Sequence, residues 1–106
     1  MSDIVTSTVR CRGGLSAFLA IPATATKVPA VVLMHERYGL MQHTKDLAAR
    51  FARDCFVCIA PDFFHKHPDQ AALHRGEVGY DMTDPEAVSY LEAAIAELAA
   101  LPQVDR

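Results

Sequence analysis

Four polar or titratable residues and a glycine follow directly on an apolar run: His35, Glu36, Arg37, Tyr38 and Gly39 come after Pro29 to Met34. In open α/β sheets, ligands bind just beyond the carboxyl ends of strands. A carboxylate placed there, as Glu36 is, is expected to be partly desolvated, which favours its neutral form unless a partner is present. Perturbed carboxylates of this kind are candidates for function. The alternative is a structural Glu36 that accepts loop N–H groups or pairs with a nearby Arg. A second strand end follows, where the apolar run Phe56 to Ala60 stops at Pro61 and opens into Asp62, Phe63 and Phe64.

Other residues have spacings that suggest chemistry. Cys55-Phe-Val-Cys58 has redox-motif spacing, but a thioredoxin-like motif opens a helix and this one opens an apolar strand. Residues three apart on a strand also point to opposite faces, which opposes joint metal binding. His65, His67 and His74, with Asp62 and Asp69, have zinc-ligand chemistry; a solvated loop is the competing reading, because no close pair of soft ligands anchors them. His35-Glu36 does not open a zincin motif, since position 39 is Gly.

These residues need elements to hold them. Ile4 to Arg10 is rich in β-branched residues, Gly13-Gly14 signals a turn, and Leu15 to Ile21 reads as the return strand of a hairpin ended by Pro22. Small residues from Ala23 to Lys27 read as a loop. Pro29 to Met34 is continuously apolar, as a strand covered on both faces is. From Thr44, Leu47, Ala48, Phe51 and Ala52 fall on one helical face, and Phe56 to Ala60 forms the next buried strand. Asp62 to Met82 reads as a polar excursion with a short helix near Gln70 to Leu73. Thr83-Asp84-Pro85-Glu86 starts a long helix, with Asp84 as cap and Val88, Leu91, Ile95, Leu98 and Leu101 as its apolar stripe. Strands alternating with helices imply a parallel sheet.

The chain has 106 residues, 51% hydrophobic and 22% charged, with a net charge of −3. At that length it is one domain or less. There is no basic patch to favour nucleic acid or an anionic membrane. Its apolar runs fall far short of the roughly 20 residues a membrane span needs. The N-terminus has no charged and then apolar leader, and three cysteines are few and odd in number for a secreted scaffold, so a cytoplasmic location is expected.

Taken together, His35-Glu36, Gly39-Leu40, His43, Asp46-Leu47-Ala48, Arg50-Phe51-Ala52 and Val57 with Ala60-Pro61-Asp62 resemble the front half of the dienelactone hydrolase family. The resemblance implies an α/β fold, a partial doubly wound sheet with an N-terminal β-hairpin, and a single partial domain over 1–106. It implies hydrolysis of a lactone or carboxylic ester by a Cys-His-Asp triad, with no metal or organic cofactor. It assigns Glu36 to activation of the nucleophilic cysteine and the backbone N–H of Arg37 to the oxyanion hole, a role suited to a fixed backbone donor. Arg75 and Tyr80 are the nearest counterparts of the Arg and Tyr that bind the substrate carboxylate. The best-studied family members carry an apolar residue at the position of Arg37 and Gln at that of His35, so dienelactone itself is left open as substrate.

The departures from the family pattern bear on activity. Neither Gly-x-Cys-x-Gly nor Gly-x-Ser-x-Gly occurs, so the nucleophile elbow, and the Asp and His that follow it, are absent. Leu101 to Arg106 reads as the lead-in to that elbow, and the chain alone is expected to be inactive. Cys55 replaces the Gly that ends the helix in relatives, where a left-handed cap conformation is needed. The strand Phe56 to Ala60 is expected to neighbour the elbow strand, leaving an open edge that favours a dimer or a complementing chain. Two other classes stay open: a non-catalytic complementing half acting as an interaction module, and a His-rich metal-binding domain.

Overall fold

Strand β1 (Ile4–Arg10) and strand β2 (Ser16–Pro22) pair antiparallel from Ile4 opposite Pro22 to Arg10 opposite Ser16. The computed structural model describes residues 3–23 and 26–105. The expected loop over 23–27 therefore lies partly outside the described residues. The hairpin turns through a short 3-10 segment, Arg12–Gly14, where Gly13 and Gly14 take φ of 78° and 83°. Those values suit glycine because it has no Cβ to clash.

Strand β3 (Ala30–Val32) leads through a loop to helix α1 (Gln42–Arg53), which returns to strand β4 (Val57–Pro61). Helix α2 (Gln70–Arg75) lies in the excursion, and helix α3 (Asp84–Ala99) follows it. The strand order is β1-β2-β4-β3, with β4 antiparallel to β2 and parallel to β3. The expectation that β4 forms the open edge is thus corrected. The hairpin claims one side of β4 and the β3–α1–β4 crossover claims the other, so the outer strands are β1 and β3.

The two faces of β4 divide the core. Cys58 packs with Ala20, Ala48 and Ala52 under α1, while Val57 and Ile59 pack with Leu19, Phe63, Ala94 and Leu98 under α3. All five residues of β4 are buried, which explains its unbroken apolar composition. Beyond α3 the chain turns back beside β3. Val28 N–H donates to Gln103 C=O at 2.9 Å and Asp105 N–H donates to Val28 C=O at 2.8 Å, a parallel bridge between Val28 and Val104.

Two details of α3 differ from the sequence reading. Its cap is Thr83, whose Oγ1 accepts the Glu86 N–H at 3.3 Å; Asp84 sits inside the first turn. Its buried face is Tyr90, Ala93, Ala94 and Leu98, whereas Val88 and Ile95 are 51% and 55% exposed. Small residues let the helix lie close on the sheet, and this rotates the larger side chains toward the flank.

Candidate active site

The last ladder bond of β3, Leu33 N–H to Ile59 C=O at 2.8 Å, marks where the strand stops holding the chain. Met34 and His35 carry the backbone clear of the sheet before Glu36 is reached. Glu36 is accordingly exposed, and its carboxylate meets no hydrogen-bond or ion-pair partner among the described residues. The expected desolvation is corrected: the apolar run outlasts the strand, so the carboxylate stands beyond the sheet. It lines an open groove of about 230 Å³ with Tyr38, Gly39, Met41, His43 and Thr44.

The loop that carries Glu36 is tightly held from behind. The His35 side chain is 1% exposed. Its Nδ1 lies 2.7 Å from the Glu36 carbonyl oxygen, and its Nε2 accepts the Phe63 N–H at 3.0 Å. Its ring also meets Phe64 edge-on, with centroids 4.7 Å apart. One side chain thereby ties the end of β3 to the end of β4. The Glu36 carbonyl also accepts the Gly39 N–H at 3.1 Å, closing a turn in which Gly39 has φ of 83°. Arg37 folds over its neighbour: its Nη2 donates to Tyr38 Oη at 2.9 Å and its guanidinium lies 4.7 Å from the ring centre. The Arg37 N–H meets no acceptor among the described residues.

Helix α2 abuts this loop with its C-terminus. Gly76 caps it at φ of 77°, and a Cβ there would stand 2.8 Å from the Tyr38 ring. The position therefore needs glycine for both conformation and contact. Arg75 and Tyr80 do not line the groove beside Glu36. Arg75 is exposed and pairs with Glu77 through Nε at 2.6 Å and Nη2 at 3.1 Å. Tyr80 donates to the Glu86 carboxylate at 3.0 Å, and Tyr90 donates to it at 3.1 Å. Desolvation first, then these bonds to Glu86, raise the pKa of both phenols above the ordinary value.

The remaining candidates separate. Cys11, Cys55 and Cys58 are free thiols; Cys11 and Cys58 are buried and Cys55 is exposed. Burial pushes the Cys58 thiol up to about 11. No group of three or more His, Cys, Asp or Glu among the described residues is arranged to hold a metal ion. His65 and His67 are used locally: His65 Nδ1 lies 3.0 Å from the Asp62 carbonyl oxygen, and His67 Nδ1 accepts the Asp69 N–H at 3.0 Å.

Comparison with known proteins agrees with this fold. The sequence model of the dienelactone hydrolase family matches residues 15–106. The chain belongs to the dienelactone hydrolase family. A protein of Synechocystis sp. named carboxymethylenebutenolidase is 30% identical over 98 residues, covering 85% of this chain and 40% of the relative. One of the same name from Methylorubrum extorquens is 28% identical over 89 residues, covering 79% and 31%. A solved structure from Klebsiella pneumoniae, named as a dienelactone hydrolase, aligns with a TM-score of 0.71 at 23% identity, covering 97% of this chain and 46% of that one. A dienelactone hydrolase-like promiscuous phosphotriesterase from metagenomic libraries aligns at 0.74 and 22% identity, covering 96% and 45%. This dienelactone hydrolase family chain thus spans under half the length of these relatives. The α/β-hydrolase fold is shared, and the family supports a hydrolase function.

His35 and Tyr38 are the residues of the site that sequence reasoning left without a role. The His35 contact joins positions 28 residues apart, so no local spacing signals it.

Proposed function

We propose that this chain supplies the oxyanion and carboxylate side of a lactone or carboxylic ester hydrolase. The observation that carries this reading is the loop from His35 to Gly39: a tightly held turn whose Arg37 N–H meets no acceptor among the described residues and whose adjacent Glu36 carboxylate lines a groove. A fixed backbone N–H is the donor that a developing oxyanion needs, because it costs no reorganisation at the moment of reaction. Glu36 stands where it can contact a thiol or thiolate entering that groove and help activate it. Arg75 and Tyr80 remain candidates for the substrate carboxylate, which requires Arg75 to leave Glu77 and Tyr80 to leave Glu86. Three free thiols suit a reducing cytoplasm. No helix among the described residues is long and apolar enough to cross a membrane.

A nucleophile-bearing strand has a place beside β3, where residues 103–105 already begin parallel pairing. The chain by itself is inactive in this reading, since it holds no nucleophile elbow. The test joins it to the nucleophile-bearing remainder of the Synechocystis relative and follows hydrolysis of p-nitrophenyl acetate and a lactone. We expect no turnover above background from the chain alone and turnover from the joined protein. Glu36→Gln should then lower kcat at least about tenfold with little change in KM, as loss of a contact made in the chemical step does. Turnover by the repurified chain alone, or a joined protein indifferent to Glu36→Gln, overturns the reading.

A further inference from the structure

We infer that His35 is a positioning residue that aims and strengthens the Arg37 N–H, and that it does so as the Nδ1–H tautomer. The inference rests on the hydrolase reading for its consequence but on two hydrogen bonds for its geometry. A carbonyl oxygen can only accept, so the 2.7 Å contact of Nδ1 with the Glu36 carbonyl requires a proton on Nδ1. A backbone N–H can only donate, so the 3.0 Å contact of Nε2 with Phe63 requires a lone pair on Nε2. Both bonds select the same neutral tautomer.

The Glu36 carbonyl and the Arg37 N–H belong to one peptide unit. A trans peptide is planar, with its C=O and N–H antiparallel. Fixing the carbonyl from the His35 side therefore fixes the direction of the N–H on the opposite side. A hydrogen bond accepted at the carbonyl also polarises the unit and makes its N–H a stronger donor. The Gly39 N–H, at 3.1 Å from the same oxygen, adds to this. The Phe63 N–H holds the imidazole from β4, and Phe63 and Phe64 flank the ring at centroid distances of 5.6 Å and 4.7 Å. The oxyanion donor is thus referenced to the buried strand β4 through one side chain.

A side chain that merely joins β3 to β4 would satisfy the packing but would not control Arg37. Two variants separate these roles. His35→Gln can donate through its amide N–H and accept through its amide oxygen; His35→Phe keeps a ring and loses both bonds. In the 106-residue chain, ring-nitrogen NMR of the unmodified protein should report the Nδ1–H tautomer. His35→Phe should shift or broaden the Arg37 amide resonance and speed Phe63 amide exchange at least about tenfold, while His35→Gln keeps both near the starting values. In the joined hydrolase, His35→Phe should lower kcat about tenfold to a hundredfold, below the loss from deleting an oxyanion donor outright. KM should hold within about twofold, and His35→Gln should restore kcat to within about threefold. An Nε2–H tautomer, or an Arg37 resonance and kcat unmoved by His35→Phe, overturns the inference. The expected tautomer and Arg37 shifts in a joined protein without turnover support the clamp and count against the hydrolase reading alone.

Discussion

At the residue scale, two positions show how conformation and burial set properties that composition only hints at. Cys55 ends α1 with φ of 70°, and the following Phe56 N–H reaches back to the Phe51 carbonyl at 3.0 Å. That left-handed cap costs a residue with a Cβ roughly 1 kcal/mol that glycine escapes. Cys55→Gly should therefore raise stability by about 1 kcal/mol, read as a higher urea midpoint at unchanged slope. Thiol chemistry follows burial in the same way. Cys55 should react promptly with a disulfide reagent, whereas Cys11 and Cys58 should react only as the chain unfolds. The Cys58 thiol, raised from 9.0 to about 11, binds its proton more tightly in the fold. Its contribution to stability is present below about pH 9 and is lost as pH rises toward 11. Cys58→Ala should flatten that decline in urea midpoint. The sequence announced Cys55 through an expected glycine position. It could not announce Glu36 correctly, because the strand end is set by pairing with β4 rather than by the apolar run.

At the element scale, the excursion is pinned to α3 by one carboxylate. Glu86 accepts from Tyr80 and Tyr90, and Lys66 Nζ lies 3.9 Å away. Glu86 belongs to the first turn of α3, where the helix dipole already favours a negative charge. Removing it leaves two phenols without their acceptor, at about 1 kcal/mol for each bond lost. Glu86→Ala should speed amide exchange across residues 77–83 more than in β4. It should also change the alkaline limb. Both phenols have pKa values raised in the fold, so the protonated forms stabilise it below about pH 10 and this is lost as pH rises above that. Without the carboxylate, that loss should be shallower. The hairpin, α1 and α3 were legible because each depends on local signals: β-branched runs, a Gly-Gly turn, helical spacing and a Pro in the first turn. The Tyr80–Glu86 latch was not, because its partners meet only after the excursion folds back. Reading Tyr80 from the family pattern pointed to a ligand, and the structure gives it an internal partner.

At the scale of the whole molecule, strand order decides which surface is left open. The alternation of strands and helices gave the class of fold, but no local signal says that β4 lies between β2 and β3; that depends on which edges are free when the crossover closes. One of the two outer edges is β3, beside which the bridge of Val28 to Val104 pairs only the lead-in to the strand. On the surface, α3 exposes Val88 and Ile95, seven residues apart and so on one helical face, and Met34 is 54% exposed just beyond β3. An open parallel edge is a template for pairing with further chain, and an exposed apolar helix flank is a surface that association can bury. Burying each such side chain is worth roughly 1.5 to 3 kcal/mol, a large share of the roughly 5 to 15 kcal/mol that holds a domain together. We therefore expect the 106-residue chain to self-associate at micromolar concentration, as measured by sedimentation equilibrium. Val88→Lys with Ile95→Lys should shift it toward monomer, since two charges on the flank oppose its desolvation. The far-ultraviolet circular dichroism should be unchanged, because neither side chain is part of the core. A chain that is already a cooperatively unfolding monomer before these changes would show that the β3 edge and the α3 flank are not an association surface.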